Sequence, residues 1–337
     1  MPVTIKDVAK LANVSISTVS RVINNASNVN PETKKAVLDA INKLNFKPNR
    51  IAQSLGANAF PAIGIVSSSR FSNEAFLPLI LQSIGEVADR KNFEIVLTTA
   101  KDENQEIKKC LSLIESRIIQ GIIILSSRIN DHLIEKLHEI KFPFVLLGRE
   151  TNDRIADEIY TVDTDNFTDS KEAVEYLFKL GHRRIGYIHG PLKYVVSYDR
   201  LNGFIEAHKE AALPVDYTII QDGGYTIQEA YNAAKKILSS QTPPTAIFVN
   251  DDLKAVGVYR AAYEMNLTIP DDISIIGHNN YEISQILTPQ LTTIDVPIRE
   301  LGIVATNKLF DIISENEVEK RTILKTKFIE RSSCRLI

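Results

Sequence analysis

Cysteine is scarce: Cys110 and Cys334 are the two in 337 residues. They are too few and too far apart for a disulfide framework or a thiolate metal site, so reduced thiols and no redox role are expected. Long apolar runs are missing too. No stretch approaches the roughly 18 apolar residues of a membrane-spanning helix, and the opening MPVTIKDVAK carries charge and helical periodicity where an export signal needs an apolar core. The expectation is a cytoplasmic protein with no membrane contact. The short motifs of common enzymes are absent as well. There is no G-x-G-x-x-G, no G-x-x-x-x-G-K and no G-x-S-x-G, and the six histidines (132, 138, 182, 189, 208, 278) lack zinc-protease spacing. Asp251-Asp252 and Asp271-Asp272 are adjacent carboxylates, a pattern that caps helices and lines solvated turns more often than it forms acid–base dyads. No catalytic residue, metal or cofactor is assigned, and an enzyme is not the reading.

What is present begins with uneven charge. The chain totals −3, yet residues 1–60 hold eight Lys and Arg (6, 10, 21, 34, 35, 43, 47, 50) against Asp7, Glu32 and Asp39, a net of +5; the other 31 basic and 39 acidic residues leave −8. A basic head on an acidic body suits a polyanion-binding module joined to something that binds no polyanion, although a basic surface also serves solubility. Thr4 and Asp7 have the spacing of a capping box, and Ile5, Val8, Ala9 and Ala12 follow at helical intervals. Asn13-Val14 reads as a turn and Ser15 as the cap of a second helix. Within VSISTVSRVIN, Val19, Val22 and Ile23 form a buried stripe, while Ser17, Ser20, Arg21 and Asn24 form a polar face. Asn30-Pro31 opens a third helix whose inward stripe is Val37, Ala40, Ile41 and Leu44. Two helices joined by a short turn, the second presenting Ser, Thr, Arg and Asn, make a helix-turn-helix that fits the major groove. Arg21 can fork onto a guanine edge or hold a phosphate, and Ser17, Thr18, Ser20 and Asn24 have the reach for both. An ordinary small helical bundle fits the same spacing; the +5 charge tips the reading toward DNA.

Past Lys47-Pro48, NRIAQSLGAN places Ile51, Ala52 and Leu55 at helical spacing in a segment too short to hold a helix alone, so it would order on a partner. TIKDVAKLANVSISTVSRVIN, NPETKKAVLDAINKLNFKPN and NRIAQSL closely resemble the headpiece and hinge of the lactose-repressor/galactose-repressor family. The resemblance implies that the second helix enters the major groove with Ile16 and Ser17 setting sequence preference, and with Ser15, Thr18, Ser20, Arg21 and Asn24 in supporting contact. Thr4, Lys6, Asn28 and Asn30 would touch the phosphate backbone. Asn49, Ala52 and Leu55 would belong to a hinge that folds on DNA beside its dimer mate, Leu55 wedging into the minor groove at the operator centre. Ile16 has no hydrogen-bonding group, so it can read only a thymine methyl or shape. One short helix reads few base pairs, so a homodimer on a pseudo-palindromic, double-stranded operator is expected.

From Ala62 the pattern changes to short β-branched runs at 62–67, 93–99, 121–127, 142–148, 184–190, 245–250 and 273–278, most of them separated by amphipathic segments. Such alternation predicts doubly wound parallel sheets with ligand sites beyond the carboxyl ends of the strands. YTVDTDN, 160–166, reads as a crossover into a second lobe. The body, in VDTDN, LGHRRIGYIHG, DRLNGF, TAIFVNDDLKAVGV, DDISIIGHNN and PQLTTIDVPIRELG, resembles the same family, whose body shares the fold of periplasmic sugar-binding proteins and crosses between lobes three times. The expected division is a helix-turn-helix headpiece at 1–47, a hinge helix and linker at 48–60, and a two-lobed effector-binding and dimerisation body at 61–337. Its first lobe would hold about 61–161 and 292–322, and its second about 162–291 and 323–337. KTKFIERSSCRLI carries no leucine heptad for a tetramer.

Residues just after strands should face the cleft between lobes: Ser67 to Arg70 with Ser69 among them, Phe76 on a loop edge before Pro78, Arg149, Tyr194, Tyr198, Arg200, Asn250, Asp251 and Asn279. Core packing is the alternative for the aromatic residues. By resemblance, Arg200 and Asn250 fall on positions that hydrogen-bond the effector, and Asn279 on one often held by aspartate, a change that alters how a sugar would be oriented. FPFVLLGRE, VDTDNF and residues 196–203 look most like maltose-operon repressors of Gram-positive bacteria, which implies maltose or a short maltodextrin as the small sugar effector. Another sugar or a sugar phosphate is the alternative, the phosphate if Arg70, Arg149 and Arg200 converge. The expected mechanism has a dimer on its operator, hinge helices ordered on the DNA, and a sugar that closes the lobes and releases it. Activation or co-repression stays open, since binding surfaces do not carry the sign of regulation; a transport-associated sugar-binding protein would lack the headpiece.

Overall fold

A computed structural model describes residues 3–23, 29–46, 61–68, 75–125 and 127–337. The chain divides into two compact units, Met1–Phe60 and Pro61–Ile337.

In the first unit α1 (Ile5–Ala12), α2 (Ile16–Ile23) and α3 (Pro31–Lys43) share one small core of Val8, Ala9, Val19, Val22, Val37 and Ala40. Local chemistry sets each start. The Asp7 carboxylate accepts from the Thr4 backbone N–H at 2.8 Å and its hydroxyl at 2.7 Å, which holds its pKa below the usual range. Thr18 N–H donates to Ser15 Oγ (3.1 Å), and Glu32 N–H donates to Asn30 Oδ1 (2.9 Å) ahead of Pro31. Asn13, in the left-handed region (φ 51°), turns α1 into α2.

The second unit contains two parallel sheets. The first runs β11-β5-β4-β3-β1-β2, with β1 Ala62–Ser68, β2 Glu94–Ala100, β3 Ile122–Ile124, β4 Phe144–Leu147, β5 Thr161–Thr164 and β11 Arg321–Leu324. Ile63, Ile65, Ile123 and Val145 pack with Ile80 and Ile84 of α4 (Phe76–Arg90) and with Leu301, Ala305 and Leu309 of α12 (Ile298–Ile313). The second sheet runs β7-β6-β8-β9: β6 Ile185–His189, β7 Ile220–Asp222, β8 Ala246–Val249 and β9 Ser274–Ile276. Alternate residues serve opposite faces. Ile188, Ile247 and Val249 join α9 (Ile227–Leu238) and α10 (Asp252–Glu264), whereas Ile185, Tyr187 and Phe248 join α7 (Asn166–Lys179) and α8 (Val195–Glu210). Helices on both faces explain why these strands read as unbroken apolar runs. Each such buried side chain contributes about 1.5–3 kcal/mol relative to exposure.

Three expectations need correction. YTVDTDN contains a strand before it becomes a crossover, because β5 pairs with β4 and β11 up to Thr164, and Asp165 then caps α7. The crossings therefore lie at 164–166, 295–298 and 324–327, later than 161/162, 291/292 and 322/323: β10 (Thr293–Asp295) still pairs with β12 (Lys327–Ile329) beside the second sheet, and β11 runs to Leu324. Phe76 begins a helix rather than edging a loop; Pro78 is tolerated there because a first-turn N–H has no helical acceptor.

Candidate functional site

Two surfaces answer to the residues chosen from sequence. On the first unit, Val19 and Val22 are buried while Ile16 (45% exposed), Ser17 and Arg21 stand in solvent, and Thr18 and Ser20 are half-buried at the edge. Ser15 Oγ lies 2.8 Å from both Ser17 Oγ and Thr18 Oγ1, so three hydroxyls form one cluster at the start of α2. Thr4, Lys6, Ser15 and Asn30 are exposed on the same unit. Asn24, Asn28, Asn49, Ala52 and Leu55 lie outside the described residues, as does the hinge helix of 48–60.

On the second unit the carboxyl ends of both sheets face one cleft. Its lining includes Ser67 near the end of β1, Ser127 after β3, Arg149 after β4, Asp163 near the end of β5, Asn166 at the first crossing, Asn250 and Asp251 after β8, and Asn279 and Tyr281 beyond β9, with Phe76 and Tyr194. Arg200, on the inward face of α8 and 8% exposed, donates through Nε to Asn166 Oδ1 (2.9 Å) and through Nη1 to the Asn250 carbonyl (2.7 Å). Asp251 caps α10: Oδ1 accepts from Leu253 N–H (2.8 Å), and Oδ2 accepts from Asn279 Nδ2 (2.9 Å). Burial raises its pKa, opposed chiefly by the nearby Lys254 ammonium. Asp252 is fully buried, accepts from Thr293 Oγ1 (2.7 Å) and Tyr281 N–H (2.8 Å), and is pushed up to about 8 by burial. Asp163 is pushed up to about 7 for the same reason.

Across the mouth the two lobes touch directly. Arg149 forks onto Asp199 of α8 at 2.8 and 2.5 Å, Ile129 N–H donates to the Lys193 carbonyl (2.9 Å), and Val195 N–H donates to the Ser127 carbonyl (3.1 Å). Arg149 is thus an interlobe strut, its guanidinium occupied by a carboxylate. Arg70 and Ser69 lie outside the described residues; of the three arginines expected for a phosphate, Arg149 and Arg200 both line the cleft, with Arg149 engaged by Asp199. Tyr198 does not line the cleft: it is 43% exposed, since α8 turns Ser197 and Arg200 inward and one position away points out. Among the described residues no group of three His, Cys, Asp or Glu side chains could hold a metal, and no helix is long and apolar enough to cross a membrane.

Residues 4–49 match the model of bacterial regulatory proteins of the lacI family, and 174–334 match the periplasmic binding protein-like domain. The HTH-type transcriptional repressor PurR of Klebsiella pneumoniae (strain 342) is 36% identical over 98% of this chain and 96% of its own. The chain belongs to the LacI family. Among solved structures, the lac repressor dimer bound to operator and the anti-inducer ONPF superposes with a TM-score of 0.89 at 27% identity, over 99% of this chain and all of that one. The CelR–cellobiose complex follows at 0.75 and 28%, covering 98% and 99%.

The protein is a LacI-family DNA-binding transcriptional repressor, and its relatives are regulators rather than enzymes. Within this LacI-type body the structure brings together Phe76, Arg149, Arg200, Asn250 and Asn279 from the sequence-derived set. Sequence reasoning missed Ser127, Asp163, Asn166, Tyr225, Lys254 and Tyr281 as cleft residues. For Ser127, Asp163 and Asn166 the signal was available, because each lies at or just past the carboxyl end of a strand of the first sheet. Lys254 stands a turn inside α10, where spacing reads a lysine as surface.

Proposed function

We propose that this LacI-family repressor acts in the cytoplasm as a homodimer on a pseudo-palindromic operator of a carbohydrate-utilisation operon, and that a small sugar bound between the lobes releases it. The observation that carries the effector part is the convergence of Arg200, Asn250 and Asn279 with Phe76 and Tyr194 in one cleft. Guanidinium, amide and aromatic groups in that mixture suit a hydroxyl-bearing ring, with donors for its oxygens and apolar faces for its carbons. The CelR structure with cellobiose, covering nearly the whole chain, supports the same ligand class. For DNA, the exposed Ile16, Ser17 and Arg21 support major-groove reading, and Thr4, Lys6 and Asn30 support phosphate contact. The hinge contacts of Asn49, Ala52 and Leu55 rest on sequence resemblance alone.

Titration of the protein with its own upstream promoter DNA at two salt concentrations, followed by anisotropy, tests both halves. The expected result is a tight, salt-sensitive complex that maltose, cellobiose or a related sugar weakens. A ligand that tightens the complex would reverse the sign to co-repression. Since a repressor named PurR is 36% identical, a purine base is included; a response to it and to no sugar would discard the sugar reading. A Leu55→Ala variant with unchanged affinity for a bent, symmetric operator would refute the hinge wedge.

A further inference from the structure

The effector cleft has a second buried cation besides Arg200. Lys254 is 4% exposed and lines the cleft from α10. A β-carbon on Gly190 would lie 2.7 Å from Asn250 Nδ2, 2.8 Å from Ser197 Oγ and 3.6 Å from Lys254 Nζ, so these polar ends converge on a patch of bare backbone in the cleft wall. The ammonium reaches Asn250 Oδ1 at 3.5 Å, the outer limit of a hydrogen bond.

The carboxylates around these two cations direct their hydrogen bonds elsewhere. Asp251 gives Oδ1 to the Leu253 and Lys254 backbone N–H groups and Oδ2 to Asn279. Glu229, which also feels the Lys254 charge, accepts from the Tyr225 and Thr226 N–H groups and the Thr226 hydroxyl. Asp199 belongs to Arg149. Asp163 gives Oδ1 to Thr164 N–H and Asn166 Nδ2. Among the described residues, Arg200 and Lys254 therefore hydrogen-bond neutral oxygens only.

We infer that Lys254 and Arg200 together read an anionic group, a phosphate or a carboxylate, carried by a hydroxyl-bearing effector. The inference rests on the cleft being the sugar site and sharpens the class of sugar it takes. A guanidinium fork and a compact ammonium supply complementary donors to a multi-oxygen anion, and charge-assisted hydrogen bonds in a partly desolvated site are about twice as strong as neutral ones. Asp163, Asp169, Asp251 and Glu229 act on the two cations through space without a hydrogen bond, and a neutral sugar hydroxyl would add no further countercharge where an anion would. Burial raises the pKa values of Asp163 and Asp251, and the Arg200 charge opposes that rise at both, joined at Asp251 by Lys254.

The test is calorimetric titration of the full-length protein with matched probes: glucose, glucose 6-phosphate and gluconate, and maltose with maltose 6′-phosphate. We expect at least one anionic member to bind about tenfold or more tightly than its neutral parent, because the anion adds an ion-pair attraction that a hydroxyl accepting from the same two cations lacks. Comparing the phosphate with the carboxylate probe separates the two anions. Lys254→Met should erase the preference and Lys254→Arg should keep it, each variant's fold being checked by thermal melt. Lys254→Gln, polar but uncharged, replaces the methionine if that variant does not fold. A neutral sugar that binds as tightly as its anionic congener, or a preference that survives in Lys254→Met, overturns the inference and leaves the sugar cleft standing. Binding of none of the five overturns the cleft reading and the inference with it.

Discussion

Asn279 shows how one uncharged side chain sets the electrostatics of the cleft. Its Nδ2 donates to Asp251 Oδ2 at 2.9 Å and to the Tyr281 hydroxyl at 3.1 Å, and its own backbone lies at φ 101°, a conformation that Asn and Asp accept more readily than other non-glycine residues. Asn279→Asp keeps the shape and replaces that donor with a second carboxylate beside a buried one. Two such groups cannot both ionise cheaply, so the pair would hold a proton to a pH above the unfolded carboxyl value. Folded-state pKa raised means stability kept on the acid side and lost as pH rises. Thermal melts should show Asn279→Asp near the parent at about pH 5 and about 1–3 kcal/mol less stable at about pH 8; equal loss at both would refute the shared proton. At the other surface, Arg21 and Lys6 are both exposed yet assigned different tasks. If Arg21 reads a base, Arg21→Ala should cost about 1–3 kcal/mol and relax specificity at one position. Lys6→Ala should weaken all sequences alike and lower the salt slope by about one. Anisotropy titrations on operator and mutated operators, across salt, separate them.

Helix α8 carries Asp199 and Arg200 to the cleft, and its position depends on Gly203. A β-carbon there would fall 2.1 Å from the Phe167 carbonyl of α7 and 3.0 Å from Ser170 Cβ. Backbone cannot yield as a side chain can, so Gly203→Ala should push the two helices apart at a cost of about 1–3 kcal/mol. Effector affinity should fall with it, since Arg200 moves with the helix; a Tm within error of the parent would show that the contact relaxes freely. This helix also marks how far the sequence could be read. The apolar runs became β1, β3, β4, β6, β8 and β9 because both faces of each are covered, which makes composition a sufficient signal; β2, at the sheet edge with Leu97 exposed, was legible from its β-branched and apolar residues. The strands β5, β7, β10, β11 and β12 are three or four residues long and mix polar with apolar side chains, so no periodicity marks them. In α8, Ser197 and Arg200 share the buried stripe with Phe204 and Ala207. A polar residue inside a buried stripe is what a binding site requires, and what a hydrophobic pattern misreads as surface; Arg200 was chosen by its expected place at the cleft and by the family resemblance, and Lys254 was not found at all.

Across the whole body, a buried carboxyl, Asp252, and a half-buried one, Asp163, sit where the lobes are joined, and they tie stability to pH. Asp163 is the next-to-last residue of β5, just before the first crossing, and Asp252 links α10 to Thr293 on the strand leading to the second. Burial pushes them up to about 7 and about 8. An unfolded aspartate is ionised by then, so above about pH 4 the folded chain binds more protons at these two sites, and stability falls as pH rises through their folded values. Three histidines act in the opposite sense lower down. His182, His208 and His278 have pKa values lowered by burial, so each costs stability as pH falls below about 6.5, where the unfolded imidazole gains its proton. Between about pH 6.5 and 8 the histidine contribution is nearly flat and the aspartates dominate. Denaturant unfolding over that window should give a decline of up to about 1 kcal/mol per pH unit for each carboxyl. Asp163→Asn isolates one of them: Asn Oδ1 can still accept from Thr164 N–H (2.8 Å) and Asn166 Nδ2 (3.2 Å), while the titrating proton is gone. The variant should flatten the slope near pH 7 and leave the fall toward 8 to Asp252. A parent more stable at about pH 8 than at 6.5, or a variant with an unaltered slope, would mean that the crossing opens enough for water to reach both carboxylates, and the lobes would then have to be far less firmly joined than their bridging contacts indicate.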